Sequence, residues 1–169
     1  MKLVKLLTLT ASAILAASAF AGEKVEVNGD FKGSPSPTGW NQNRPNNWDS
    51  AGTFKVAPIA ELEKNSVLMA SKTKKMHLYA KQAIKVASGD ALIIKAMAKG
   101  KGMGRMGVYC YPQGSLNAQG FKVAEDWQEK SVTINITSSK IKEVRVLIAA
   151  DPGSTVEYVN LTVTHKKKK

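Results

Sequence analysis

From residue 53 onward, apolar and polar positions alternate with a period of two, and almost nowhere with the 3.6-residue period of a helix. Thr53-Phe54-Lys55-Val56 is a short alternating piece, and residues 66–70 form another. Residues 76–86 read as a longer strand with Leu78, Ala80, Ile84 and Val86 on one face. Leu92, Ile94, Ala96 and Ala98 then alternate with Lys95 and Lys99, the pattern of a half-buried strand. Residues 105–111 make the next strand, stopped by Pro112 and a polar loop over 113–120. Val132, Ile134 and Ile136 lie opposite Ser131, Thr133 and Asn135; Val144, Val146 and Ile148 repeat the alternation, and 156–164 closes the chain. Turn chemistry separates these runs at Ser88-Gly89-Asp90, Ser138-Ser139-Lys140 and Asp151-Pro152-Gly153-Ser154. Gly100, Gly102 and Gly104 predict a loose hairpin connection, and 58–64 is the one helix-like turn. Eight or nine short strands at near-regular spacing predict an all-β chain, a single β-sandwich of jelly-roll topology.

Two segments fall outside this pattern. Residues 1–21 join Lys2 and Lys5 to an apolar run ending in Ala19-Phe20-Ala21, the three parts of a secretory signal peptide. The run is too short for the roughly 20 apolar residues of a membrane span, so an exported protein, secreted or periplasmic or held at the cell surface, is expected rather than an integral membrane protein. Residues 27–48 are rich in Gly, Pro, Asn and Gln, which rules out a helix or long strand there. This loop carries Trp40 and Trp48 among amides such as Asn43. Aromatic faces beside amides suit a hydroxyl-rich ligand, and they suit packing beneath a long loop equally well.

Charge adds a second theme. The 169-residue chain has formal net charge +12, and +10 once Lys2 and Lys5 leave with the leader. Four of the remaining cations form a tail, 166–169, read here as solvated and able to meet an anionic surface; the body of the domain, 22–165, is modestly basic. Nucleic acid is not an expected partner, because no nucleic-acid motif accompanies the charge. Cys110, the single cysteine, shares the alternation of Met106 and Val108 and is expected to be buried and inert. His77 and His165 lack the spacing of a zinc site, and no nucleophile elbow is present. Glu125, Asp126 and Glu129 flank Trp127, but nothing sets two of them across a cleft as a glycosidase requires. Tyr109 and Tyr111 share a strand face with Arg105, opposite Val108. That face is either a sheet's ordinary cover or a binding surface. Trp127 reads as a core residue, and Gln82, among Ala80, Ile84 and Val86, as an inward amide.

The order of several landmarks resembles the carbohydrate-binding modules of families four and nine, the jelly rolls appended to bacterial cellulases and xylanases. They are Asn28-Gly29-Asp30-Phe31, Gly39-Trp40, Gln82-Ala83-Ile84-Lys85-Val86 before Ser88-Gly89, Asp126-Trp127, Val144-Arg145-Val146-Leu147 and Tyr158-Val159-Asn160-Leu161-Thr162-Val163. The resemblance implies a non-catalytic protein that holds a poly- or oligosaccharide by aromatic stacking and by amide and arginine hydrogen bonds. With the residue readings above, it nominates Trp40, Trp48, Asn43, Gln82, Arg105, Tyr109 and Tyr111 as the ligand-binding set. Lys32 and Val159 stand where that family often has calcium-supporting carboxylates, so no metal and no other cofactor is expected. A structural or adhesive sandwich that contacts other proteins remains the alternative.

Overall fold

The computed structural model describes residues 22–34, 36–41, 52–59 and 64–169. The leader, Asn43, Trp48 and part of the expected helical turn (60–63) lie outside them. Among the described residues there are twelve strands and no helix. The first half of the chain supplies β1 (Glu23–Val25), β2 (Trp40–Asn41), β3 (Thr53–Ile59), β4 (Lys64–Ala70), β5 (Met76–Ala80) and β6 (Ile84–Lys85). The second supplies β7 (Ala91–Lys101), β8 (Met103–Tyr111), β9 (Ser115–Lys122), β10 (Gln128–Asn135), β11 (Glu143–Ala150) and β12 (Thr155–Lys166).

These strands form two antiparallel sheets. The first runs β10-β7-β12-β4-β3, with β1 also on β12; the second runs β2-β5-β11-β8-β9, with β6 also on β11. Both ends of the described chain meet in one ladder, where Glu23 faces His165 and Val25 faces Val163. The core lies between the sheets. Val67, Leu92, Ile94 and Val156 come from the first and Leu78, Met106, Val108, Val146 and Ile148 from the second, all buried. Each such side chain stabilises the fold by about 1.5–3 kcal/mol relative to exposure, which lets the sandwich stand without a disulfide; Cys110 is free and buried, and burial pushes its thiol pKa up.

The alternation located the long strands, and the structure corrects the rest. The run 76–86 is interrupted after Ala80, so Gln82 lies exposed in the link between β5 and β6 rather than pointing inward. The polar stretch after Pro112 is not a loop but β9, paired with β8 from Cys110↔Ser115 to Met103↔Lys122. It is an edge strand with mostly exposed side chains, so its ladder hydrogen bonds rather than apolar burial hold it. Pro58 and Ile59 belong to β3 and Lys64 opens β4, so both ends of the expected helical turn are strand. Gly100 and Gly102, at φ 134° and 93°, do not close a hairpin. They form a corner that carries the chain from β7 in the first sheet to β8 in the second, against Thr155 and Ser154, where a Cβ would collide.

Two further corrections concern Trp127 and the tail. Trp127 is half-buried ahead of β10, with the Lys99 ammonium 4.6 Å from its ring centroid, and is not a core residue. The tail does not hang clear of the fold. β12 includes Lys166, the Lys168 N–H donates to Asp90 at 2.9 Å, and the Lys167 ammonium meets Glu23.

Candidate functional site

The second sheet has one face on the core and one turned away from it. Because facing residues of an antiparallel pair share a face, the register orders the outer side into rows. One row crosses Tyr79, Leu147, Gly107 and Ala118. The next sets Tyr109 between Arg145 and Leu116, and beyond it Glu143 lies between Tyr111 and Lys85. On the other side of the first row come His77, Ala149, Arg105 and Gly120. Asn41 of β2 lies opposite Tyr79.

This face has its own apolar cluster, Tyr79, Leu147 and Ala149, with Tyr109 and Ala118 packed against it. Tyr79, Tyr109 and Tyr111 form a file in which each ring meets the next edge to face, at centroid distances of 5.6 and 4.8 Å. His77 continues it, 5.9 Å from Tyr79, and its Nδ1 lies 3.3 Å from the Tyr79 hydroxyl. At the far end the Arg145 guanidinium sits 5.0 Å from the Tyr111 centroid, within cation–π range. Tyr79 is only 7% exposed, whereas Tyr109 and Tyr111 keep part of their surface. Between Tyr109 and Arg105 the floor is made of small groups, Gly107, Ala118 and Ala149. A depression of about 140 Å³ opens there, lined by Lys75, His77, Arg105, Leu116, Ala118, Leu147 and Ala149.

The charges have definite partners. Arg105 donates twice to Asp151, from Nε to Oδ1 at 2.7 Å and from Nη2 to Oδ2 at 2.9 Å, and that bidentate pairing raises its pKa and fixes its plane. Burial lowers the pKa of His77, with help from Lys75, so the imidazole is neutral at pH 7. Burial, reinforced by Tyr109 and Tyr111, pushes Tyr79 up to about 12, leaving its hydroxyl protonated. The Arg145 Nε is a buried N–H without a hydrogen-bond partner among the described residues.

Of the nominated residues, the structure brings Arg105, Tyr109 and Tyr111 together on this face. It places Trp40 elsewhere. Trp40 is 3% exposed, its ring packs on Phe31 at 5.3 Å, and its Nε1–H donates to the Asn28 carbonyl at 2.8 Å. Trp40 is therefore the packing anchor of its loop, with no free donor to offer a ligand. Asn43 and Trp48 lie outside the described residues. Sequence reasoning missed His77, Tyr79 and Arg145, although the alternation was available: Leu78 and Ala80 inward put His77 and Tyr79 outward, and Val144 and Val146 inward do the same for Arg145.

Among the described residues, no three His, Cys, Asp or Glu side chains converge as a metal ion would need. Asp30, in the Asn28-Gly29-Asp30-Phe31 motif, receives the Lys64 ammonium at 3.1 Å. The same ammonium donates to Asn160 Oδ1 at 2.7 Å, at the bulge of β12.

No protein-family model and no curated protein matches the chain by sequence. Solved structures do match in fold. The CBM22-1 xylan-binding domain from Paenibacillus barcinonensis Xyn10C superposes with a TM-score of 0.57 at 12% identity, over 90% of this chain and all of that one. A CBM4 structure gives 0.55 at 15% identity, over 82% and 97% of the two chains. A family 29 carbohydrate-binding module complexed with mannohexaose gives 0.53 at 11% identity, over 80% and 86%. At these identities the likeness is one of architecture: the chain has the jelly-roll fold of carbohydrate-binding modules.

Proposed function

We propose that this is an exported, non-catalytic carbohydrate-binding protein that holds a poly- or oligosaccharide on the outer face of the second sheet. The observation that carries the reading is the file Tyr79–Tyr109–Tyr111, ended by Arg145, above a floor of small side chains on a sheet face turned away from the core. A sugar ring offers C–H groups to an aromatic ring and hydroxyls to a guanidinium. Tyrosines on a rigid sheet lose little conformational entropy in making such contacts. The likeness in fold to a xylan-binding domain and to a module complexed with mannohexaose supports the same reading. Trp48 and Asn43, outside the described residues, stay in the proposed ligand-binding set on their sequence alone. Export rests on the leader.

Affinity electrophoresis against a panel of neutral and acidic polysaccharides tests the proposal. Retardation by at least one of them, relieved by its own oligosaccharides, is the expected result. No retardation by any, together with stoichiometric recovery of one envelope protein, would favour the adhesive alternative.

A further inference from the structure

The charge on the tyrosine-bearing face is one-sided. Among the described residues, Lys75, Lys85, Arg105, Lys122 and Arg145 lie on its rows or at its rim, against only Glu143 and Asp151. Asp151 is spent on Arg105. Among the described residues Arg145 forms no ion pair: Glu143, its neighbour on the same face of β11, is not bridged to it, and its guanidinium lies over the Tyr111 ring. Among the described residues the buried Nε–H has no acceptor, which fixes no part of the guanidinium to a carboxylate of the protein. Lys75, exposed at the rim of the depression, has no carboxylate within bridging distance among the described residues either. A face meant for neutral sugar alone needs hydrogen-bonding side chains, not a surplus of unpaired cations beside its aromatics.

Resting on the carbohydrate-binding reading, we propose that the glycan is acidic, a uronate-bearing polysaccharide. Its carboxylates are taken by Arg145 beside Tyr111 and by Lys75 at the depression, while sugar rings lie along Tyr109 and Tyr111. The planar guanidinium fork matches a carboxylate in two parallel hydrogen bonds. Lys75, a point charge on a flexible stem, tolerates variation in where the next carboxylate falls.

De-esterified polygalacturonate and its fully methyl-esterified form differ in charge while keeping the same ring, so they make the decisive pair of probes. Affinity electrophoresis of the intact chain should show retention on the acidic form at least about tenfold stronger, declining as salt rises. Arg145→Gln should lose about tenfold of that preference, with Lys75→Gln, a rim change that leaves the sheet untouched, losing a smaller share in the same direction. The thermal midpoints of both variants report whether the sandwich is intact. Equal retention on the two forms, or retention confined to neutral glycans and indifferent to Arg145→Gln, overturns the acidic preference while leaving carbohydrate binding standing. Loss of polygalacturonate retention on removing residues 166–169, with Arg145→Gln unchanged, assigns the attraction to the tail and equally overturns it. Retention on no glycan at all removes the reading beneath it.

Discussion

The hydroxyl of Tyr158, on β12 of the first sheet, crosses the core and accepts a hydrogen bond from the main-chain N–H of Arg105, on β8 of the second, at 3.0 Å. The same hydroxyl donates to the Ala149 carbonyl of β11 at 2.6 Å. Burial drives its pKa far above the ordinary tyrosine value, so the proton stays and the bridge persists at any working pH. The bridge ties the two sheets together directly beneath Arg105 and Ala149, which line the depression. Tyr158→Phe keeps the ring but leaves the Arg105 N–H and Ala149 carbonyl without it. A loss of about 1–3 kcal/mol in denaturant unfolding is expected, with a changed environment at Arg105 in amide spectra. A neutral outcome would mean that the strands re-close on each other without help.

The tryptophans should separate in the opposite sense to the one their sequence context suggests for Trp127. Trp40→Ala empties a packed site beside Phe31 and leaves the Asn28 carbonyl with only its weaker bond from the Phe31 N–H, at a cost of about 3–5 kcal/mol. Trp127→Ala removes a half-buried ring and one contact with Lys99, and should cost only about 1 kcal/mol. Parallel thermal melts of the two variants check this.

That reversal shows which signals the sequence carries. β7, β10 and β12 were legible because each buries every second side chain, and a period of two survives in the composition. β9 was not, because an edge strand held by backbone bonds and baring Ser115, Leu116 and Asn117 carries no such signature. β5 is buried on both faces, and so is the C-terminal half of β11. The apolar outer residues Tyr79 and Leu147 therefore merge with the inner ones, and half of the candidate site went unseen. Tyr109, Tyr111 and Arg105 were found because β8 alternates cleanly. Their association with Arg145 and Tyr79 depends on pairing β8 with β11 and β11 with β5, contacts between distant segments that no local pattern encodes.

Asp90 links pH to the end of the chain. Its carboxylate, 5% exposed, accepts the N–H groups of Lys168 and Ala87 and pairs with His165 Nε2, each at 2.9 Å. Burial pushes its pKa up, but these hydrogen bonds prevail and hold it below the ordinary 3.8. A carboxylate with a depressed folded pKa stabilises the protein above the unfolded value and loses that contribution as pH falls through the folded one. Stability should therefore hold from neutral pH down to about 4 on this account and decline below it, with a shallower acid limb in Asp90→Asn. Removing residues 166–169 should lower the melting temperature by a few degrees at pH 7, since the Lys168 donor and the last pair of the β12 ladder go with them.

Metal removal should leave the fold alone. Lys64 supplies a covalently attached positive charge to Asp30 and Asn160, so a chelator is expected to leave the melting curve unchanged, while Lys64→Met should lower the midpoint slightly at an exposed pair of this kind. A drop on chelation, restored by calcium, would show ligands beyond those described.

The central claim is that glycan is held on the outer face of the second sheet by Tyr109 and Tyr111. Its most direct measurement is glycan retention by the Tyr109→Ala/Tyr111→Ala double variant, beside its thermal midpoint. These rings cap a sheet and keep part of their surface in solvent, so the sandwich should survive their loss while retention falls by at least about tenfold, the worth of one or two stacked rings. Full retention by a folded double variant would contradict the account.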